Sequence, residues 1–337
     1  MNLAIIGTGA LASLFATRLA PLADVTMAGT WAAQLAAIRD QGLTLVSPDG
    51  RRRTVSVPVT EDPGRAAPAD VALILVKSYQ TERAAHFAAA ALAPAGFALT
   101  LQNGLGNVET LAATLGPARA LAGTTSEGAT MLRPGVVRHA GRGLTYLARP
   151  AGEPQAVAAL AVLFEEAGFV THLTGDVQGL LWGKLAVNAG INPLTALLEV
   201  PNGFLAENAH ARALMEAAAR EVATLAQMRH ISLPYDDAAR RTYEVAVATA
   251  ANRSSMLQDV QNGRPTELEA ITGAVVRLAR EHDLSVPANA ALLMLLRQKL
   301  AGAAWPPPLA ALPSSLRPHF AALLPAPGEA GKKGSRK

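Results

Sequence analysis

Lys184, Asn188 and Asn192 recur at intervals of four within the segment Trp182–Thr195. On a helix this spacing puts one ammonium and two amides on a single face. Leu185, Ala186, Val187 and Ile191, which fill the gaps, read as core. A lysine partly withdrawn from water on such a helix has a lowered pKa and can serve as a general acid. Protonating the oxygen of a ketone as it is reduced requires such a group. The reaction also needs a hydride donor and an anchor for a substrate carboxylate. A polar stripe that merely faces solvent fits the same spacing.

A second group lies in Asn252-Arg253-Ser254-Ser255-Met256-Leu257-Gln258-Asp259, followed by Glu267. Ser254 and Ser255 can hydrogen-bond a carboxylate, and Arg253 can add positive charge. An ordinary helix N-cap is the alternative use of these residues.

The hydride donor has its own signature. Gly7-Thr8-Gly9-Ala10-Leu11-Ala12 follows the apolar run Leu3-Ala4-Ile5-Ile6 and opens a helical stretch. It fits G-x-G-x-x-G/A, the dinucleotide-binding fingerprint. Gly7 permits the tight turn, Gly9 the close approach of a pyrophosphate, and Ala12 close packing of helix on sheet. The pyrophosphate is expected on the free N–H groups of the helix N-terminus. A tight turn without a ligand is the bland reading. Where NAD enzymes carry an acid after the second strand, this chain has Ala28-Gly29-Thr30-Trp31. No carboxylate there repels a 2′-phosphate, which favours NADP. The arginine expected to bind that phosphate is also absent, so NAD remains possible. Gln102-Asn103-Gly104-Leu105-Gly106 follows another strand, where ligands of open α/β sheets bind. Asn103 is therefore placed for the nicotinamide end, or else belongs to an Asn-Gly turn.

These groups need a scaffold, and the pattern of the chain supplies one. The 337 residues are 50% hydrophobic and 17% charged, enough for two domains of roughly 150 residues. In the first half, strand-like runs at Leu3–Gly7, Asp24–Ala28, Val71–Val76 and Phe97–Leu101 alternate with helical stretches such as Ala10–Leu19. That alternation predicts a parallel sheet covered by helices on both faces. Gly42–Pro58, turning at Pro48-Asp49-Gly50, reads as a hairpin, and Val136–Leu147 reads as antiparallel strands extending the sheet. From about Asp176 the periodicity is helical, as in Leu205–His230 and Thr266–His282, with Thr266 and Glu269 spaced as a capping box. The expected domains are residues 1–174 and 175–305, followed by a Pro-rich and basic tail, 306–337.

Cysteine is absent, which excludes disulfides, thiolate nucleophiles and Cys-based zinc sites. The seven histidines show no ligand-like spacing, so no metal is expected. Net charge is +4, of which Lys332, Lys333, Arg336 and Lys337 against Glu329 contribute +3. The body of the protein thus lacks the basic face of a nucleic-acid binder, and the tail reads as disordered. No basic n-region or cleavage site precedes the first strand, and no apolar run has membrane-spanning length. The expectation is a cytoplasmic protein, monomer or homodimer, acting on a small molecule and not on nucleic acid or membrane.

Taken together, W-G-K-L-A-V-N-A-G-I-N-P-L-T-A-L, S-S-M-L-Q-D-V, Q-N-G-L-G and the glycine loop resemble the ketopantoate reductase (2-dehydropantoate 2-reductase) family, from residue 1 to about 300. The resemblance implies a Rossmann-like dinucleotide-binding domain and an all-α C-terminal domain of the 6-phosphogluconate dehydrogenase C-terminal type. It implies NADPH-dependent reduction of ketopantoate to (R)-pantoate, on the route to pantothenate and coenzyme A. Lys184 then matches the proton donor and Glu267 the glutamate near substrate hydroxyls and cofactor. Asn188, Asn192, Asn202 and Asn252 match the substrate side, and Ser255 the carboxylate anchor. Asn103 matches a residue touching both nicotinamide and substrate. Lys77 and Gly128 match cofactor-binding positions, alongside Gly7, Thr8, Gly9, Ala10, Leu11, Ala12 and Thr30. The family commonly has an arginine where this chain has Thr30-Trp31. A related reductase of another small 2-keto acid is the nearest alternative, and a non-catalytic NADP-binding regulator the remoter one. A regulator needs only the glycine loop, whereas Lys184, Asn188, Ser255 and Glu267 are all retained.

Overall fold

The computed structural model describes residues 1–66, 68–149, 155–302 and 308–325. The basic segment Ala326–Lys337 lies outside the described residues. The chain divides into two compact units, Met1–Val177 and Gln178–Lys337.

The first unit is built on an eight-stranded sheet. Its strands are β1 (Asn2–Ile6), β2 (Asp24–Ala28), β5 (Val59–Thr60), β6 (Ala69–Ile74), β7 (Leu92–Thr100), β8 (Ala120–Thr125), β11 (Leu144–Ala148) and β12 (Val170–Thr174). Their spatial order is β12-β11-β8-β7-β6-β1-β2-β5. All neighbours run parallel except β11 against β8. The apolar run Val71–Leu75 is wholly buried, as a strand covered on both faces must be. Helices α1 (Ala10–Leu19), α2 (Ala32–Gln41), α3 (Thr81–Ala91), α4 (Asn107–Leu115) and α5 (Gln155–Glu166) complete the unit. On one side Phe15 of α1 stacks on Phe169 at 4.2 Å and meets Phe164 of α5 edge-on at 5.3 Å.

A second, four-stranded sheet has the order β4-β3-β10-β9, with β3 (Leu43–Val46), β4 (Arg52–Val55), β9 (Gly128–Arg133) and β10 (Val136–Gly141). The hairpin at Pro48–Gly50 forms, pairing Leu43 with Val55 and Val46 with Arg52. The segment Val136–Leu147 divides in a way that the sequence does not announce. Its β11 half joins the main sheet, while β10 pairs parallel with β3. The break falls at Gly141-Arg142-Gly143. Gly143 packs where a Cβ would lie 2.4 Å from the Ser126 backbone, so only glycine allows the strand to leave one sheet for the other.

The second unit is helical in its described residues: α6 (Val177–Leu198, beginning one residue before the division), α7 (Asn202–Glu207), α8 (Ala209–Met228), α9 (Ala238–Ala248), α10 (Ser255–Gln261), a π-helical turn at Glu269–Gly273, α11 (Ala274–Glu281), α12 (Pro287–Leu300) and α13 (Arg317–Leu323). The expected capping box at Thr266 does not form. The Thr266 hydroxyl accepts a long 3.4 Å bond from the Leu268 N–H, and Glu269 turns instead to Arg297, at 2.8 and 2.5 Å. A forked guanidinium–carboxylate pair outcompetes a single bond to a neutral backbone N–H. Among the described residues no helix is long and apolar enough to cross a membrane.

Candidate active site

In the first unit the glycine loop sits at the carboxyl end of β1. Gly7 has φ +130°, and a Cβ there would meet the Leu75 carbonyl oxygen at 2.8 Å. Only glycine allows that approach, and the turn is tied down by the Gly7 N–H donating to the Ala28 carbonyl at 2.8 Å. Thr8 lies against Gly29. Ala12 is fully buried, as close packing of helix on sheet demands. Gly9 is the N-cap of α1. No side chain caps that helix, and its first turn holds no acid. The space where a Gly9 Cβ would project is empty within 4 Å. Uncapped N–H groups beside an open cradle fit a pyrophosphate.

Three other expected cofactor residues lie on the same edge of the sheet: Lys77 follows β6, Asn103 follows β7 and Thr30 follows β2, whereas Gly128, three residues after β8, itself opens β9 of the smaller sheet. These strands are parallel and adjacent or nearly so, which gathers their carboxyl ends along one rim. Thr30 is exposed and Trp31 is 38% exposed at the start of α2. β5 runs beside β2 and ends there too, with the Gly29 N–H donating to the Thr60 carbonyl at 3.1 Å. Glu61 and Asp62 therefore stand one and two residues from a direct contact of Gly29. Sequence inspection of the second strand misses this, because β5 is two residues long and lies over thirty positions away.

In the second unit Lys184, Asn188 and Asn192 share the continuous helix α6, with Leu185, Ala186 and Ile191 buried as expected and Val187 only partly buried. The stripe does not merely face solvent. Lys184 and Asn188 are partly buried, and Asn192 is buried. Burial pulls the Lys184 ammonium down from 10.5 to about 8, and the charge of Glu267 opposes that shift. Glu267 is itself buried. The helix also continues the stripe one step beyond the expectation. Thr195 bonds the Ser254 hydroxyl at 2.7 Å, and Ser254 caps α10 by accepting from the Leu257 N–H at 3.1 Å. Of the two serines, Ser254 is thus committed to structure, whereas Ser255 is exposed at the first position of α10.

Asn202 and Asn252 are brought together through the backbone, the Asn202 N–H donating to the Asn252 carbonyl at 2.9 Å. The Asn202 amide donates to Thr249 Oγ1 at 2.9 Å, while its buried Oδ1 has no hydrogen-bond partner. A buried, unpartnered amide oxygen is an open acceptor for a donor such as a substrate hydroxyl. The Asn252 side chain is exposed. Tyr235 escapes a sequence search because it lies 52 residues from Gly183, to whose carbonyl its hydroxyl donates at 2.6 Å.

One unit with an uncapped glycine-loop helix on a parallel sheet, and one helical unit carrying a lysine of lowered pKa beside a buried carboxylate, together define a dinucleotide-dependent oxidoreductase. Comparison with known proteins narrows the class. The profile described as Ketopantoate reductase PanE/ApbA matches residues 3–152, and that of the Ketopantoate reductase PanE/ApbA C terminal matches residues 176–300. A 2-dehydropantoate 2-reductase of Halobacterium salinarum is 40% identical over 299 residues, covering 88% of this chain and 98% of the relative. A namesake from Archaeoglobus fulgidus is 39% identical over 234 residues, covering 68% and 76%. The crystal structure of a PanE/ApbA family ketopantoate reductase from Ralstonia eutropha superposes with a TM-score of 0.83 at 31% identity, covering 90% of this chain and 99% of that one. The chain belongs to the ketopantoate reductase family.

Proposed function

We propose that this protein reduces ketopantoate to (R)-pantoate with a nicotinamide dinucleotide, as a cytoplasmic step of pantothenate and coenzyme A biosynthesis. The observation that carries the reading is Lys184, whose ammonium is brought down to about 8 by burial against the opposing charge of Glu267, on a helix face shared with Asn188 and Asn192. At neutral pH a group of that pKa is still mostly protonated, yet gives up its proton far more readily than an ordinary lysine.

The roles follow from the chemistry of each residue. Gly7, Thr8, Gly9, Ala10, Leu11 and Ala12 receive the pyrophosphate, with Lys77, Asn103, Thr30 and Gly128 completing the cofactor contacts. When bound, the nicotinamide supplies the hydride. Lys184 donates its proton to the ketone oxygen as charge develops there. Asn188, Asn192 and the open Oδ1 of Asn202 orient the substrate's polar groups. Ser255, with its hydroxyl exposed, anchors the carboxylate, while Asn252 adds a substrate contact. Glu267 keeps Lys184 charged and receives a substrate hydroxyl. General acid catalysis of this kind contributes about 10²–10⁴-fold.

For the cofactor, NADPH is the first reading, because no acid directly follows β2. A second reading, NADH, is favoured by one observation. The Gly29 bond to Thr60 brings Glu61 and Asp62 to the rim beside Thr30, where carboxylates disfavour a 2′-phosphate. Initial rates of NADPH and NADH oxidation, each with ketopantoate and with 2-ketobutyrate, test both points. Rapid NADPH oxidation specific to ketopantoate supports the main reading. Preference for NADH selects the second, and turnover only with another keto acid removes ketopantoate as the substrate.

A further inference from the structure

Gln102, Thr81 and Asn107 take no part in the chemistry above, yet they form one buried chain of hydrogen bonds under the rim of the first unit. The Gln102 amide donates to the Val76 carbonyl at 2.9 Å and to Thr81 Oγ1 at 2.9 Å. Its Oε1 accepts from Thr100 Oγ1 at 2.9 Å, which fixes the orientation of the amide. Thr81 Oγ1 lies 2.8 Å from the Ser78 carbonyl and 2.9 Å from Asn107 Oδ1, so its single proton serves one or the other. The Asn107 amide closes the chain by donating to the Asn103 carbonyl at 3.0 Å. All four side chains (Thr81, Thr100, Gln102 and Asn107) are buried.

The ends of this chain are what matter. One end holds the carbonyl of Val76, the residue before Lys77, since a Thr81 proton given to Asn107 cannot also hold the Ser78 carbonyl. The other holds the backbone of Asn103 itself. The two loops leave the paired ends of β6 and β7, where Ile74 lies beside Thr100, and the network carries that pairing beyond the strands. Gly104 and Gly106, both at positive φ (80° and 93°), make the second loop especially adaptable in the absence of such ties. Buried amides and hydroxyls that satisfy one another have few alternative arrangements, which makes such a network rigid.

We infer that Thr81, Gln102 and Asn107 are positioning residues that set the separation of Lys77 and Asn103 and thereby the affinity for the cofactor. The inference rests on the proposal that Lys77 and Asn103 hold the cofactor. Thr81 is the joint, because its hydroxyl accepts from the Gln102 amide and donates to Asn107 Oδ1.

The test compares Thr81→Val, Thr81→Ser, Asn107→Asp and Lys77→Ala in the full-length enzyme, reading the KM for cofactor, the KM for ketopantoate and the melting temperature. Thr81→Val keeps the shape and removes the joint, so cofactor KM should rise about tenfold, the effect expected of one or two lost hydrogen bonds. The KM for ketopantoate should stay within about twofold, and Thr81→Ser, which restores the hydroxyl, should recover cofactor KM. Asn107→Asp, nearly isosteric but with an acceptor facing the Asn103 carbonyl, should weaken cofactor binding likewise, and decides the matter if Thr81→Val does not fold. A Thr81→Val enzyme with lowered melting temperature but unchanged cofactor KM overturns the inference, as does failure of Ser to outperform Val. Lys77→Ala separates the two levels. If it leaves cofactor KM unchanged, the assignment of Lys77 falls. If it weakens binding while Thr81→Val and Asn107→Asp do not, only the clamp falls.

Discussion

Tyr235 donates its phenolic hydrogen to the carbonyl of Gly183, 2.6 Å away and one residue before Lys184. Burial pushes the phenol up to about 12, so it remains a donor throughout the working pH range. The contact is close because Gly183 has no side chain. A Cβ there would lie 2.7 Å from Pro234 Cδ. The loop between α8 and α9 thus braces the turn of α6 that carries the proposed acid. Tyr235→Phe keeps the ring and removes the bond. Steady-state kinetics should show kcat lowered roughly 3- to 10-fold, in line with about 1 kcal/mol for one hydrogen bond, with cofactor KM unchanged. An unaltered kcat would show that the brace has no bearing on Lys184.

The Lys184–Glu267 pair gives a pH dependence with a definite sign. Reduction requires the ammonium, so its rate should fall as pH rises through about 8. Oxidation of pantoate requires the neutral amine, so the reverse rate should climb over the same interval. Glu267 raises the Lys184 value, and Glu267→Gln should therefore move both limbs to lower pH. Parallel pH–rate profiles of the two enzymes check this, and limbs that coincide would separate Glu267 from the titrating group.

The same burial predicts a cost in stability. Between about 8 and 10.5 the unfolded chain holds a proton on Lys184 that the folded chain has released, so stability rises with pH across that window. Below it the penalty of burying the ammonium is present in full. Lys184→Met combined with Glu267→Gln, which leaves no buried carboxylate without its cation, should raise the melting temperature at pH 7 while abolishing turnover, by a stability gain on the order of 1–3 kcal/mol. A lower melting temperature would mean that Lys184 is held by interactions worth more than its desolvation costs.

Two glycines of one loop should respond in opposite ways. Gly7→Ala faces both positive φ and a 2.8 Å clash with the Leu75 backbone, and is expected to unfold or strongly destabilise the first unit. Gly9→Ala meets nothing within 4 Å. It should leave the melting temperature unchanged and still reduce cofactor affinity at least tenfold, because its methyl group enters the space assigned to the pyrophosphate. Thermal melts paired with cofactor titration distinguish the two, and tight binding by Gly9→Ala would move the phosphate site elsewhere.

Glu221 of α8 accepts from the N–H groups of Ala288 and Asn289 at 2.7 and 2.9 Å and from the Asn289 amide at 2.8 Å, capping α12 from a neighbouring helix. Ala288 and Asn289 are fully buried, so their N–H groups depend on the carboxylate for a partner. Glu221→Ala should cost about 2–4 kcal/mol, read from denaturant unfolding. A loss below about 0.5 kcal/mol would show that α12 needs no such cap.

Periodicity and loop chemistry made much of this legible in the sequence. The strand Asp24–Ala28, the helix Ala10–Leu19 and the stripe on α6 follow directly from alternation, glycine spacing and the four-residue repeat. Contacts that join distant segments did not show. Tyr235 reaches Gly183 across 52 positions, and Gln102 reaches Val76 across 26. No local pattern records either. The capping-box spacing at Thr266 misled because Arg297, 28 residues beyond Glu269, offered a stronger partner. The route of β10 into the smaller sheet depends on pairing with β3, more than ninety residues earlier, which only the folded chain displays.

The most direct test of the central claim is kcat for Lys184→Ala with ketopantoate and saturating cofactor, measured beside the dissociation constant for that cofactor. With Lys184 as the proton donor, kcat should fall about 10²–10⁴-fold, with the dissociation constant within about twofold of wild type. A kcat within threefold of wild type would contradict it, and the proton would have to come from another group.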